Sequence, residues 1–99
     1  MVVSIFRSRI RPQHEAEYQV LAAEMLTLAR AMPGFLAYRF FSSEDGERCS
    51  IVEFESLEEL QAWRDEPRHR EAQKLGRERF YTEYSLCVAD PIRESSFQL

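Results

Sequence analysis

The spacing of apolar and polar positions changes several times along the chain, and each change marks a new element. Residues 2 to 10, VVSIFRSRI, are rich in β-branched side chains. They set Val2, Phe6 and Ile10 on one side and Val3 and Ile5 on the other, which predicts a strand. From His14 the period lengthens, and Tyr18, Leu21, Ala22, Met25, Leu28, Ala29 and Met32 recur at helical intervals. This predicts one long amphipathic helix. Glu15 and Glu17 lie in its first turn and Arg30 in its last, as the helix dipole favours, and Pro33 with Gly34 stops it. Two more strands follow, FLAYRFFSS from residue 35 and ERCSIVEFES from residue 47, joined through Glu44, Asp45 and Gly46 as a hairpin. On the first of these Phe35, Ala37 and Phe41 oppose Leu36, Tyr38 and Phe40, so both faces carry apolar groups.

Ser56 followed by Glu59 is a capping box that opens a short helix, LEELQAW, burying Leu57 and Leu60 and ending at Trp63. Pro67 starts a second helical stretch, because its missing N–H is one the first turn leaves unbonded anyway, with Asp65 or Glu66 as the cap. There His69, Ala72, Gln73, Gly76 and Phe80 share a face, and the two small residues leave room either for close helix packing or for a ligand. Residues 80 to 89 alternate again, Phe80, Thr82, Tyr84, Leu86 and Val88 against Tyr81, Glu83, Ser85 and Cys87. Asp90 and Pro91 break this strand. The tail from 91 to 99 carries Ile92 and Phe97, apolar enough to dock on a neighbouring subunit.

The order strand, helix, strand, strand, two helices, strand is that of a ferredoxin-like split βαβ fold, an α+β architecture with an antiparallel sheet. We expect one domain over residues 1–99, both helical layers on one face of the sheet, and the first and last strands at its centre. The opposite face stays apolar and uncovered. Burying it against the same face of a second copy predicts a homodimer.

Composition narrows the function. A chain of 99 residues with 44% hydrophobic content holds a single core, and its formal net charge of −4 argues against nucleic acid as a partner. The arginines between residues 64 and 79 alternate with Asp65, Glu66, Glu71 and Glu78, which reads as a salt-bridged, solvated helix rather than an anion site. Cys49 and Cys87 are far apart and lack a nearby His cluster, so they read as small buried hydrophobes in a reducing compartment, with no metal bound. Arg7 and Arg9 interrupt the N-terminus before a signal segment forms, and no apolar run reaches transmembrane length. A cytoplasmic protein with no membrane partner is expected.

The stretches MPGFLAYRFF and SIVEFESLEELQAWRDEPRHREAQKLGRERFYTEYSLCV resemble the antibiotic biosynthesis monooxygenase family, small dimeric α+β barrel proteins. The resemblance spans almost the whole chain. Its most specific part is Trp63 followed by Pro67, His69, Ala72, Gln73 and Gly76, running into Phe80 and Tyr81. It implies the dimeric barrel. It also implies one of several roles, since members include cofactor-free oxygenases that convert phenolic or anthrone-type aromatics to quinones, haem-degrading oxygenases, and proteins without an assigned role. The haem-degrading branch uses an Asn, a Trp and a His where this chain has Ser8, Trp63 and Gln73. Only the Trp remains, and Gln73 offers iron no imidazole. In the quinone-forming branch a Tyr lies six residues past the Trp, and His69 stands there instead.

Oxidation of a quinol, phenol or anthrone without a cofactor requires help in forming an electron-rich phenolate or carbanion that can itself reduce O2. A base and a dry aromatic slot are what the protein must supply. His69 titrates near neutrality and is the candidate base. Trp63 is its catalytic companion, stacking on a planar ring and donating its indole N–H. Arg7, Arg39 and Gln73 are candidates to hold a developing oxyanion, and Met25 to line the pocket. Should His69 lie elsewhere, the role passes to Tyr38, Tyr81 or Tyr84, or to the substrate's own acidity. The reading is therefore an oxidoreductase that takes a small aromatic and O2 and needs no cofactor. Its rivals are a non-oxidative binding or isomerising dimer of the same fold, and a haem-binding protein. The chain has no Gly-rich phosphate loop for a tightly held nucleotide.

Overall fold

The computed structural model describes residues 1–99, which run through β1 (Val2–Ile10), a 3₁₀ turn (Pro12–His14), α1 (Glu15–Ala31), β2 (Phe35–Ser42) and β3 (Arg48–Phe54). They continue through α2 (Leu57–Asp65), α3 (Pro67–Leu75), a π-helical turn (Gly76–Phe80) and β4 (Tyr81–Ala89). The four strands form one antiparallel sheet in the order β2-β3-β1-β4, the ferredoxin-like α+β fold.

The expected strand order needs correcting. β1 and β3 are central, and β4 lies at an edge. Each helical connection passes over one strand: α1 carries the chain from β1 past β3 to β2, while α2 and α3 carry it from β3 past β1 to β4. The last strand is therefore delivered to the outside.

Two bulges also change which side chains face the helices. A register shift between Phe35 and Ala37 leaves Leu36 without a partner and half exposed. Phe35 thereby joins Tyr38 on the helix side, where its ring meets Phe54 edge-on at 5.8 Å. A second shift pairs Ile10 with Tyr81 and Arg9 with Glu83, so Thr82 is the extra residue. The simple alternation expected from Phe80 is broken there. Phe80 belongs to the π-helical turn, where it is fully buried, and Tyr81 points under the helices.

The helix ends follow their sequence signals. Ser56 caps α2, its hydroxyl accepting from the Glu59 N–H at 3.2 Å and donating to the Glu59 carboxylate at 3.0 Å. Glu66 is the cap of α3, accepting from the His69 N–H at 3.0 Å. Gly34, with φ of 81°, turns the chain after α1, and a Cβ there would meet the Glu59 carboxylate.

Ala29, Val52, Phe54, Leu60 and Trp63 form the core, with Met25, Leu28 and Met32 of α1 packed against it. Leu57, expected in the core, is half exposed. The face turned away from the helices carries Val3, Ile5, Phe41 and Ile51 between ion pairs of Arg7 with Glu47, Arg9 with Asp45 and Glu83, and Arg39 with Glu53. Cys49 is half-buried and Cys87 exposed, both unpaired, so Cys87 is not the buried hydrophobe expected. Residues 90 to 99 have no regular structure beyond a bend, and Ile92, Phe97 and Leu99 are fully or nearly fully exposed. No helix is long and apolar enough to cross a membrane.

Candidate functional site

Between the sheet and the helices lies a cavity of about 260 Å³, and 14 of its 20 lining residues are hydrophobic. Ser4 and Phe6 of β1, Tyr38 of β2 and Val52 of β3 form its floor, because alternate residues of a strand share one face. Tyr18 and Met25 of α1 form one wall, and Trp63, His69, Ala72 and Gln73 form the other. Tyr84, Leu86 and Val88 also line it yet are about half exposed, so the cavity opens along the edge strand β4, beyond the cover of α3.

The break at Glu66 lets α3 fold back on α2, and this brings His69 onto Trp63. Their rings stack with centroids 3.8 Å apart and planes inclined by 12°. His69 Nδ1 lies 2.9 Å from the Trp63 carbonyl oxygen, an acceptor only, so the neutral ring carries its proton on Nδ1. Gln73 Nε2, 3.3 Å from the same nitrogen, is committed to the Arg64 carbonyl at 3.0 Å. With that tautomer, the Nε2 lone pair of His69 is free to accept a proton. The one buried side-chain nitrogen or oxygen without a partner is Arg48 Nε. His69 Nε2 and the Trp63 indole N–H also have no protein partner but are not fully buried, and both residues line the cavity.

Burial holds the His69 pKa below its ordinary value, opposed by the bond to the Trp63 carbonyl and by the charge of Glu66. The ring is neutral at pH 7. A helix start also disfavours positive charge, through its dipole and unbonded N–H groups, but Glu66 occupies that end of α3. Desolvation is the operative cause.

Other candidates separate. Met25, Trp63, His69 and Gln73 converge on the cavity. Arg7 and Arg39 do not: the residues preceding them, Phe6 and Tyr38, face the cavity, so both arginines point to the opposite side, bound to Glu47 and Glu53. Trp63 is not a bare platform, since His69 already covers one face of the indole. Ser8 is buried on β1, and Gln73 keeps its amide on Arg64, so the positions matching the haem-degrading pattern offer iron no imidazole.

Tyr38, Tyr81 and Tyr84 were legible only as reserves and Tyr18 only as part of the apolar stripe of α1, yet all four line the cavity. The Tyr81 hydroxyl donates to that of Tyr18 at 3.4 Å, and burial pushes both phenols above their ordinary pKa. Both therefore stay protonated near neutral pH, with the Tyr81 proton spent on Tyr18 and the Tyr18 proton free to be donated. Arg48, which sequence reasoning missed, lies with its guanidinium carbon 5.3 Å from the Tyr18 ring and 4.8 Å from the Phe40 ring, backing this aromatic wall. No three His, Cys, Asp or Glu side chains gather where they would hold a metal ion.

The profile of the family described as antibiotic biosynthesis monooxygenase matches residues 1–75. YqjZ of Bacillus subtilis, an uncharacterized protein, is 27% identical over 95 residues, covering 96% of this chain and 83% of its own. The solved structure of Rv0793 from Mycobacterium tuberculosis superposes with a TM-score of 0.85 at 27% identity, covering 96% of this chain and 98% of that one. SnoaB, a cofactor-independent oxygenase from Streptomyces nogalater, shares the fold at a TM-score of 0.81 and 14% identity, with 94% of each chain covered.

Proposed function

The chain belongs to the antibiotic biosynthesis monooxygenase family, and from that premise we propose that it is a cofactor-independent monooxygenase or oxidase of a small aromatic quinol, phenol or anthrone. The observation that carries the reading is the His69–Trp63 stack at the wall of an apolar cavity, with a neutral imidazole nitrogen and an indole N–H left free. His69 Nε2 takes the proton of the substrate's hydroxyl or activated methylene, and the anion that results delivers electrons to O2. For an anthrone the methylene becomes a carbonyl, one oxygen atom staying in the product and the other leaving as water. For a quinol two electrons and two protons pass to O2, giving a quinone and hydrogen peroxide. The Trp63 N–H and the Tyr18 hydroxyl, which accepts from Tyr81 and keeps its own proton to give, supply hydrogen bonds to the developing oxyanion, the part first given to Arg7, Arg39 and Gln73.

The working unit in this proposal is a homodimer joined through the sheet face opposite the helices, located in the cytoplasm. An oxygen-electrode screen of metal-free protein against hydroquinones and anthrones tests the chemistry, with Trp63→Phe as the control. Oxygen uptake that depends on the protein and falls in the variant is expected. Saturable binding of these aromatics with no uptake above the uncatalysed rate contradicts oxygenase chemistry and leaves a non-oxidative binding role.

A further inference from the structure

The cationic side chains around α3 fall into two groups. Arg68 is held by Glu24 and Glu71, Arg70 by Asp65, Lys74 by Glu78 and Arg79 by Glu17. This much is the salt-bridged helix the sequence pattern predicts. Arg64 and Arg77 are in no ion pair, and these two line the cavity. No Asp or Glu lines it. In a chain of net charge −4, an apolar cavity with two unneutralised arginines and no carboxylate is a local reversal of sign.

Their placement is ordered. Gln73 lies between them, its amide bonded to the Arg64 carbonyl at 3.0 Å, and Arg77 follows one helical turn later on the same side. Both arginines are exposed, and so stand at the mouth rather than in the apolar interior. The acids next to them in sequence are engaged elsewhere, Asp65 with Arg70 and Glu78 with Lys74, while Glu66 accepts from the His69 N–H and Glu83 is paired with Arg9 at 3.0 Å.

We infer that the ligand of this cavity is an amphiphilic aromatic anion, a planar ring system bearing a carboxylate or a comparable acidic group that Arg64 and Arg77 hold at the mouth. The ring enters the apolar interior toward Trp63 and His69, and the anion stays at the rim. There the guanidinium forks bind it in charge-assisted hydrogen bonds. The inference rests on the cavity being the substrate site, and it narrows the substrate to the acidic members of the aromatic class.

Isothermal titration calorimetry at pH 7.5 with 2-naphthoate and 2-naphthol, equal in ring size and different in charge, separates the two claims. The wild type should bind naphthoate roughly tenfold more tightly than naphthol, and added salt should weaken only the naphthoate complex. Arg64→Gln and Arg77→Gln should each lower naphthoate affinity several-fold and leave naphthol within about twofold. Equal affinity for the two probes, or arginine variants that bind naphthoate as the wild type does, overturns the anion site while leaving the cavity as the aromatic site. Binding of neither probe overturns both.

Discussion

Trp63 and His69 show what residue-level reasoning reaches and where it stops. The residue types named the chemistry, one imidazole and one indole near a helix start, but six positions of separation gave no sign that the two rings stack. That contact depends on the chain direction changing at Glu66, between α2 and α3. It has a measurable consequence in pH dependence. The half-buried His69 has a pKa below the 6.5 of an ordinary imidazole, whereas the unfolded chain titrates near that value. Below pH 6.5 the unfolded state therefore binds the proton that the folded state resists, and stability declines as pH falls through the range below 6.5. Chemical denaturation at pH 7.5 and 5.5 should show an acid loss in the wild type that is smaller in His69→Gln. Identical losses would mean that the ring is solvated. Arg7 and Arg39 illustrate a different limit, because each sits on a strand where one step of alternation decides the face, and a lone strand cannot say which side will be covered.

At the scale of elements, the sequence was a good guide to what forms and a poorer one to how it is offset. The capping box at Ser56, the start at Pro67 and the stop at Gly34 are local chemistry, and all appear where their residues placed them. Bulges are not local in this sense. Leu36 and Thr82 look like ordinary strand residues, and only pairing with β3 and β1 makes each the extra one that rotates Phe35 and Tyr81 toward the helices. The π-helical turn is similar. It packs Gly76 against Tyr81, where a Cβ would meet the ring, and Tyr81 is wedged between Phe6, Tyr18 and Tyr84 at centroid distances of 5.4 to 5.7 Å. Gly76→Ala should therefore destabilise by about 1–3 kcal/mol, the usual cost of overpacking. Thermal melting measures this, and an unchanged melting temperature would show that the ring yields freely.

For the whole molecule, the balance of buried and exposed apolar groups is the informative quantity. Nine of 99 residues are buried, few for a domain of this size, and one sheet face has no helix over its apolar centre. Association through that face is the account's expectation, already implied by the two-sided apolar patterning of the strands. Light scattering over a dilution series should give twice the mass of one chain at micromolar concentration. A stable folded monomer there would remove the dimer. The strand order was misread because the split βαβ pattern specifies that connections cross, and the position of β4 follows only once β3 is seen to pair with β1. The central claim, that His69 at the cavity wall is the base that starts aromatic oxidation, has one direct measurement: steady-state oxygen uptake at pH 7.5 by metal-free wild type and His69→Ala on the same quinol or anthrone. Turnover in the variant should fall by roughly 10² to 10⁴, the usual worth of a general base, while wild-type turnover in His69→Ala would contradict the account.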